Sequence, residues 1–216
     1  MFAFFDLDGT LIKEKSIISF YRFYLGLNEK SGAQLEESFL KELECKSSAL
    51  ASRSKLNEWF YNSYFSGLSR DLLAKYSMLW FKERADESFF NQSIVNEMGL
   101  RKNEGYEVVI LTGSFYEVVK PIADFLNIGN IISAPLEDVS GTYTGRLVDL
   151  PTIGPGKVKA MHHFLKCNEG SLEKSYGYGD DISDFDYLSV VDNPIAFNGI
   201  ELQRVANERG WKYIFE

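Results

Sequence analysis

The sequence predicts an α/β fold in which a mainly parallel sheet lies between layers of helices, with a helical domain inserted after the first strand. Two observations lead to this prediction. Short, almost wholly apolar runs of the kind that form buried strands alternate with helical patterns, as a parallel sheet requires. A long stretch near the N-terminus has no strand-like run and carries apolar residues at helical spacing. We therefore expect a Rossmann-like three-layer α/β/α core and an α-helical cap.

The predicted core strands share an apolar centre and, in three of them, a polar segment that follows directly. They are residues 2–5, 107–111, 130–133, 175–179, 194–197 and 212–215. Helical patterns occupy residues 115–126, 157–166, 184–188 and 200–209. Between them, residues 136–146 alternate around Ser140-Gly141, which predicts a small β-hairpin beside the sheet.

The predicted cap covers residues 14–89, and the core covers residues 1–13 and 90–216. Apolar residues of the cap recur at intervals of three and four: Ile17, Phe20, Tyr21, Tyr24, Trp59, Phe60, Tyr64, Leu72, Leu73, Tyr76 and Trp80. Helix packing is the favoured explanation for these aromatic residues, and a substrate cavity under the cap is the alternative.

Composition excludes several classes of protein. With 23 Lys+Arg against 31 Asp+Glu in 216 residues, the chain lacks the charge for a broad surface that binds nucleic acid or anionic lipid. Two distant cysteines, Cys45 and Cys167, have no metal-ligand spacing and are expected to be inert thiols. No apolar run approaches the roughly 18 residues that cross a bilayer, so we expect a cytoplasmic protein. The cap is neutral, which assigns the whole net charge of −8 to the core.

Residues suited to phosphate chemistry follow two of the strands. Asp6 and Asp8, two residues apart, point to the same side where the first strand ends, and Gly9 permits a tight exit. Thr112 and Gly113 supply a hydroxyl and a backbone N–H at the start of a helix, where an anion is favoured.

A lysine and three further carboxylates complete the predicted site. Lys157 lies at a helix start, where its charge opposes the helix dipole and therefore indicates an anionic partner. Asp180, Asp181 and Asp184 follow another strand, and all these segments meet at the carboxyl edge of a parallel sheet. Crowded carboxylates favour a cation, and an all-oxygen set suits Mg²⁺. Together with lysine, hydroxyl and amide donors, this is what a phosphoryl group needs.

In order, the four segments match the motifs of haloacid-dehalogenase-like phosphohydrolases, and the sequence resembles that family along nearly the whole chain. The helical insertion resembles a type 1 cap. The hairpin at 141–146 and the strand at 193–198 are similar to the phosphoserine-phosphatase-like branch, subfamily IB. Dehalogenases lack a second carboxylate at the position of Asp8, so its presence favours a phosphoester substrate.

The resemblance implies a role for each matching residue. Asp6 would become an aspartyl-phosphate, Asp8 would act as acid and base, and Lys157 would neutralise Asp6 and the phosphate. The implied phosphate-binding residues are Asp8, Gly9, Thr112, Gly113 and Lys157. The implied Mg²⁺ ligands are the Asp6 carboxylate, the Asp8 carbonyl and the Asp180 carboxylate. Asp181 would lie near the metal, and Asp184 would hold Lys157.

The predicted function is hydrolysis of a small soluble phosphomonoester by a Mg²⁺-dependent enzyme. A phosphotransferase or mutase with the same nucleophile is an alternative, and a non-catalytic phosphate-ligand binding protein is a second one. The predicted partner is the small-molecule substrate, with neither nucleic acid nor membrane. A monomer and a homodimer are both compatible with the sequence.

The sequence departs from phosphoserine phosphatases in the cap linker, where those enzymes carry a glutamate that binds the substrate ammonium. Lys15 stands at that position, so we expect phosphoserine not to be the preferred substrate. Lys15 is open to two interpretations, a ligand for a substrate carboxylate or second phosphate and an exposed linker charge. For His162 and His163 we expect an exposed or core-edge role, and for Arg146 a structural one.

Overall fold

A computed structural model describes residues 1–27, 30–86 and 88–216, so Asn28, Glu29 and Glu87 of the predicted cap lie outside the described residues. The strands are β1 (Phe2–Phe5), β2 (Glu107–Leu111), β3 (Asn130–Ile132), β4 (Leu136–Val139), β5 (Thr142–Leu147), β6 (Tyr176–Gly179), β7 (Asn193–Phe197) and β8 (Lys212–Ile214). Six of them form a parallel sheet in the order β3-β2-β1-β6-β7-β8, and β4 pairs with β5 in a separate antiparallel hairpin. The predicted strands and hairpin are confirmed within two residues at each end.

Strand β1 lies at the centre of the sheet, between β2 and β6. Its side chains alternate between two hydrophobic cores: Ala3 and Phe5 belong to one, and Phe2 and Phe4 to the other. Because both faces of the strand are covered, its sequence is apolar throughout rather than alternating. Parallel pairing brings the carboxyl ends of β1, β2 and β6 to one edge.

The described part of residues 14–89 contains four helices and no strand. They are α1 (Ser16–Gly26), α2 (Gly32–Ala49), α3 (Arg53–Tyr64) and α4 (Arg70–Arg84). Phe20 of α1 and Phe65 after α3 pack edge-on against Phe115, with ring centroids 5.3 and 4.8 Å apart. Trp80 and Tyr61 are fully buried in the same core. Helix packing therefore explains these four aromatic residues, as expected, and this helical unit shares one core with a face of the sheet.

The remaining helices cover the two faces of the sheet. They are α5 (Gln92–Asn103), α6 (Tyr116–Phe125), α7 (Pro155–Cys167), α8 (Phe185–Leu188) and α9 (Ile200–Arg209), with a 3-10 turn at Ile182–Asp184. Helices α6, α7, α8 and α9 match the four predicted helical segments. The segment predicted to begin at residue 184 starts within the 3-10 turn instead. Helix α5 was not predicted, because its buried positions Ile94, Met98 and Arg101 include only two apolar residues. None of the helices in the described ranges is long and apolar enough to span a bilayer.

A buried carboxylate is one of the groups that join the hairpin to the helices. Glu117 of α6 accepts hydrogen bonds from Arg70 Nε of α4 at 2.8 Å and from Tyr143 Oη of β5 at 2.7 Å. Ser140 and Gly141, with φ of 53° and 80°, form the predicted two-residue turn. Since α4, α6 and β5 meet at this carboxylate, it helps to hold the hairpin beside the sheet, together with backbone hydrogen bonds between the hairpin and residues 67–70.

We expect Glu117→Gln to lower the free energy of unfolding by about 1–3 kcal/mol, because an amide NH₂ would face a donor and leave it unsatisfied. Chemical denaturation at neutral pH measures the change. Glu208→Gln, at an exposed position, is the matched control and should stay near wild type. Equal losses in the two variants would show that the Glu117 junction does not stabilise the fold.

Candidate active site

The centre of the site is a buried lysine between two aspartates. Lys157 Nζ lies 2.5 Å from Asp6 Oδ1 and 2.7 Å from Asp184 Oδ1, and all three residues are buried. Burial alone would lower the pKa of Lys157, but the Asp184 and Asp6 carboxylates outweigh it and raise that pKa above its ordinary value. Lys157 therefore remains a cation that organises the ends of β1 and β6.

The start of α7 directs Lys157 inward. Pro155 occupies the first turn of α7, where its missing N–H costs nothing. Gly156 packs so closely on the preceding loop that a Cβ would lie 1.8 Å from the Pro151 carbonyl oxygen. The Gly154-Pro155-Gly156 sequence therefore supplies both the helix start and the close approach that brings Lys157 to Asp6.

Asp8 is held by two serines. Its Oδ1 accepts a hydrogen bond from Ser16 N at 2.9 Å, and its Oδ2 accepts one from Ser114 Oγ at 3.1 Å. The two hydroxyls are 2.6 Å apart. Burial, reinforced by the nearby Asp6 charge, raises the pKa of Asp8 above its ordinary value. Asp8 is thus a carboxyl group disposed to hold a proton close to Asp6.

Asp180 forms an acidic cluster with Asp6 and Asp184. One oxygen from each of Asp6, Asp180 and Asp184 lies within 4.8 Å of the others. Burial, followed by the Asp6 charge, raises the pKa of Asp180 to about 7. Both oxygens of Asp184 are engaged, Oδ1 by Lys157 and Oδ2 by the N–H of Asp181, whereas Asp6 contacts Lys157 through Oδ1 alone. Asp6 and Asp180 are therefore the carboxylates better placed to hold a cation.

Gly9 allows the first loop to approach Asp180. Its φ is 100°, and a Cβ there would lie 2.2 Å from Asp180 Oδ2. Thr10 Oγ1 donates to Asp180 Oδ1 at 3.1 Å, while Asn91 Nδ2 donates to the carbonyl oxygens of Gly9 and Thr10. Asn91, Ser16 and Ser114 were not predicted; only Ser114, directly after Thr112-Gly113, stood where the sequence offered a signal.

Lys15 contacts the backbone of Asp8 and the side chain of Asp180. Its Nζ lies 2.5 Å from the carbonyl oxygen of Asp8 and 3.7 Å from Asp180 Oδ2. The Lys15 side chain is 43% exposed, yet its ammonium group lies next to the acidic cluster. Neither sequence interpretation described this contact within the site.

The loop after β2 is fixed from both the core and the helical unit. Thr112 N donates to the Ile132 carbonyl at 2.9 Å, and Thr112 Oγ1 accepts from Ser114 N at 3.1 Å. The Gly113 carbonyl accepts hydrogen bonds from Asn57 Nδ2 at 3.1 Å and Tyr61 Oη at 2.9 Å. Both donors come from α3, which therefore contacts the predicted phosphate-binding segment directly.

Most of these groups line one cavity of about 340 Å³, although Gly9 and Asp180 are not among its lining residues. Its core side consists of polar residues: Asp6, Asp8, Thr112, Gly113, Ser114, Lys157, Asp181, Ser183 and Asp184, with Ile153 beside them. Its other side comes from the helical unit: Lys15, Ile17, Ile18, Leu43, Arg53, Leu56, Asn57 and Phe60. The structure thus gathers the predicted catalytic residues around a space of the size that a small ligand occupies.

An ion pair joins the two sides of the cavity. Arg53 of α3 lies 2.7 Å from Asp181 Oδ1 and donates to Ser183 Oγ at 3.2 Å. Although burial opposes it, the Arg53 charge, with the hydrogen bonds from Ser183, lowers the pKa of Asp181 to about 2. Asp181 therefore contacts the helical unit, a contact that the sequence did not predict.

The polar residues set aside in the sequence lie elsewhere. His162 and His163 are exposed on α7, and both cysteines are free and exposed. Arg146 pairs with Glu137 within the hairpin at 2.7 Å, which agrees with a structural role.

Comparison with known proteins gives one family. The model of the haloacid dehalogenase-like hydrolases matches residues 3–189. A histidinol-phosphatase of Neisseria meningitidis is 26% identical over 97% of this chain and 96% of that protein. The phosphoserine phosphatase SerB1 of Mycobacterium tuberculosis is 29% identical over 97% of this chain and 69% of that protein. A structure of the phospho-aspartyl intermediate analogue of phosphoserine phosphatase superposes with a TM-score of 0.65 at 18% identity, covering 100% of this chain and 92% of its own.

We expect a double-mutant cycle of Arg53→Met and Asp181→Asn to give a coupling energy of about 0.5–1 kcal/mol, since solvent screens this half-exposed pair. Urea unfolding near pH 7 measures it. Because the pKa of Asp181 is depressed, the stabilisation is present above the ordinary aspartate pKa and is lost as the pH falls toward 2.

The ion pair Lys55–Glu58 provides the control cycle, because its two residues lie one turn apart on α3 and 2.7 Å from each other. Its coupling should be smaller, because it joins two residues of the same helix rather than α3 to the core. A coupling at Arg53–Asp181 that does not exceed this control would show that the pair does not hold α3 against the loop after β6.

Proposed function

The chain belongs to the haloacid dehalogenase-like hydrolases, and we propose that it hydrolyses a small phosphomonoester through an aspartyl-phosphate on Asp6, with Mg²⁺ as cofactor. The observation that carries the proposal is the buried contact of Lys157 with Asp6 beside the protonatable Asp8. Relatives named as phosphoserine and histidinol phosphatases support a phosphatase.

Asp6 is proposed as the nucleophile. A carboxylate oxygen of Asp6 would attack phosphorus as the ester P–O bond breaks, giving an aspartyl-phosphate and the alcohol. Lys157, 2.5 Å from Asp6 Oδ1, would offset the charge that accumulates when a phosphate dianion approaches a carboxylate. Its two carboxylate partners keep Lys157 protonated, so the charge is present throughout the reaction.

Asp8 is proposed as the general acid and base. Its raised pKa favours the protonated carboxyl that can donate to the leaving alcohol. The resulting carboxylate then accepts a proton from the water that cleaves the aspartyl-phosphate, which regenerates Asp6 and releases phosphate. Ser16 N and Ser114 Oγ hold the two oxygens of Asp8, so the group is oriented before the substrate binds.

The donor chemistry fits a hard divalent cation. The Asp6 and Asp180 carboxylates and the Asp8 carbonyl are the residues proposed to hold Mg²⁺, and all three supply oxygen. When bound, the ion would neutralise charge on the phosphoryl oxygens. Thr112 and the Gly113 N–H are proposed to bind those oxygens from the carboxyl end of β2, the strand beside β1.

We expect Asp6→Asn to reduce Mg²⁺-dependent phosphate release from p-nitrophenyl phosphate by at least about a thousandfold, because the amide cannot serve as the nucleophile. Asp149→Asn, at an exposed position, is the control and should retain wild-type rates. Circular dichroism of both variants separates lost chemistry from lost folding. Substantial activity in folded Asp6→Asn would refute the nucleophile assignment.

We expect Lys15→Met to tighten Mg²⁺ binding by about two- to tenfold, since its ammonium contacts two of the oxygens proposed to bind the ion. Calorimetric titration of Mg²⁺ without substrate measures the affinity independently of catalysis. The control is Lys13→Met, because Lys13 Nζ lies 3.8 Å from Glu216 instead. Unchanged or weaker binding in Lys15→Met alone would show that the ammonium does not compete with the ion.

A further inference from the structure

The helical side of the cavity is largely apolar. Five of its residues carry hydrocarbon side chains: Ile17, Ile18, Leu43, Leu56 and Phe60. Ile17 and Phe60 are buried, and the other three are partly buried. These side chains line the same cavity as Asp6, so they are within reach of the group attached to a phosphate that contacts Asp6. Apolar surface favours a ligand that removes it from water.

The charges on this side are positive. Among the described residues that line the cavity, the helical unit contributes Lys15 and Arg53 but no carboxylate. The four lining carboxylates all come from the core. Each is already engaged: Asp6 and Asp184 with Lys157, Asp8 with the two serines, and Asp181 with Arg53.

Neutral acceptors do not offset this charge. The Gly113 carbonyl has two lone pairs, and Asn57 Nδ2 and Tyr61 Oη already donate to it. The other amide atom, Asn57 Oδ1, is buried without a partner and is an uncharged acceptor. A desolvated ammonium needs an anionic partner as well as hydrogen bonds. The helical side therefore disfavours a cationic substrate body.

We propose that the substrate is the phosphate ester of an apolar alcohol or phenol whose body carries no ammonium group. This inference rests on the proposed phosphomonoesterase function. The phosphoryl group would lie against the core residues, and the hydrocarbon body against Leu43, Leu56 and Phe60. Phosphoserine and histidinol phosphate both carry an ammonium group, so this substrate differs from those in the relatives' names.

A pair of isosteric esters tests the proposal directly. Propyl phosphate and 2-aminoethyl phosphate differ only in a terminal methyl group against an ammonium group. We expect kcat/KM to be at least about tenfold higher for propyl phosphate, and to rise further for hexyl and phenyl phosphates. An active enzyme that hydrolyses the aminoethyl ester as well as or better than the propyl ester would overturn the proposal.

A carboxylate placed on the apolar side should reduce the preference for the propyl ester over the aminoethyl ester. Leu43→Glu adds a carboxylate to the cavity wall, and we expect the propyl-to-aminoethyl ratio to fall several-fold. Leu40→Glu is the matched control, since Leu40 is exposed on the same helix and does not line the cavity. If the propyl-to-aminoethyl ratio of kcat/KM is equal in the two folded variants, the apolar wall is not the surface that discriminates between the esters. The wild-type ratio decides the question if Leu43→Glu does not fold.

Failure of the function is distinguishable from failure of this inference. An enzyme with Mg²⁺ that releases phosphate from neither ester nor from p-nitrophenyl phosphate would overturn the proposed function, and this inference with it. Release from p-nitrophenyl phosphate without a preference for the propyl ester would overturn the substrate class alone.

Discussion

The buried contact of Lys157 with Asp6 and Asp184 is the constraint on which the rest of the site depends. A buried lysine without anionic partners would be strongly destabilising, and losing one partner of a buried pair costs about 3–5 kcal/mol. The two carboxylates follow different strands, so this ion pair forms only when β1, β6 and the start of α7 converge. Close glycine contacts serve that convergence: a Cβ on Gly179 would lie 2.7 Å from the Asp184 side chain.

The distribution of charge between the core and the helical unit reflects the same site. The core carries the whole net charge of −8, and five of its carboxylates gather at the site. Among the described residues, three cations contact these carboxylates: Lys157 from the core, and Lys15 and Arg53 from the helical unit. An excess of negative charge remains, and it adds to burial in raising the pKa of Asp8 and Asp180. A helical unit with no net charge thus supplies local cations on the side that faces the carboxylates.

The sequence predicted the residues whose position follows from local structure. Asp6, Thr112 and Asp180 directly follow strands, so the parallel sheet alone brings them together. Arg53 and Asn57 gave no such signal, because their contacts depend on how α3 packs across the core. Helix α5 was missed for a related reason: it is stabilised by tertiary packing, and only a weak apolar pattern marks it.

The contact between α3 and the loop after β2 links the helical unit to the proposed phosphate-binding segment. The peptide that joins Gly113 to Ser114 is planar, so hydrogen bonds to its carbonyl also orient its N–H. Asn57 and Tyr61 hold that carbonyl, and the N–H donates to Thr112 Oγ1. With Oγ1 accepting this bond, the hydroxyl hydrogen of Thr112 is left to be donated elsewhere, and Thr112 lines the cavity. The position of α3 and the orientation of the proposed phosphate donor Thr112 therefore depend on the same peptide, so α3 is coupled to the proposed binding site.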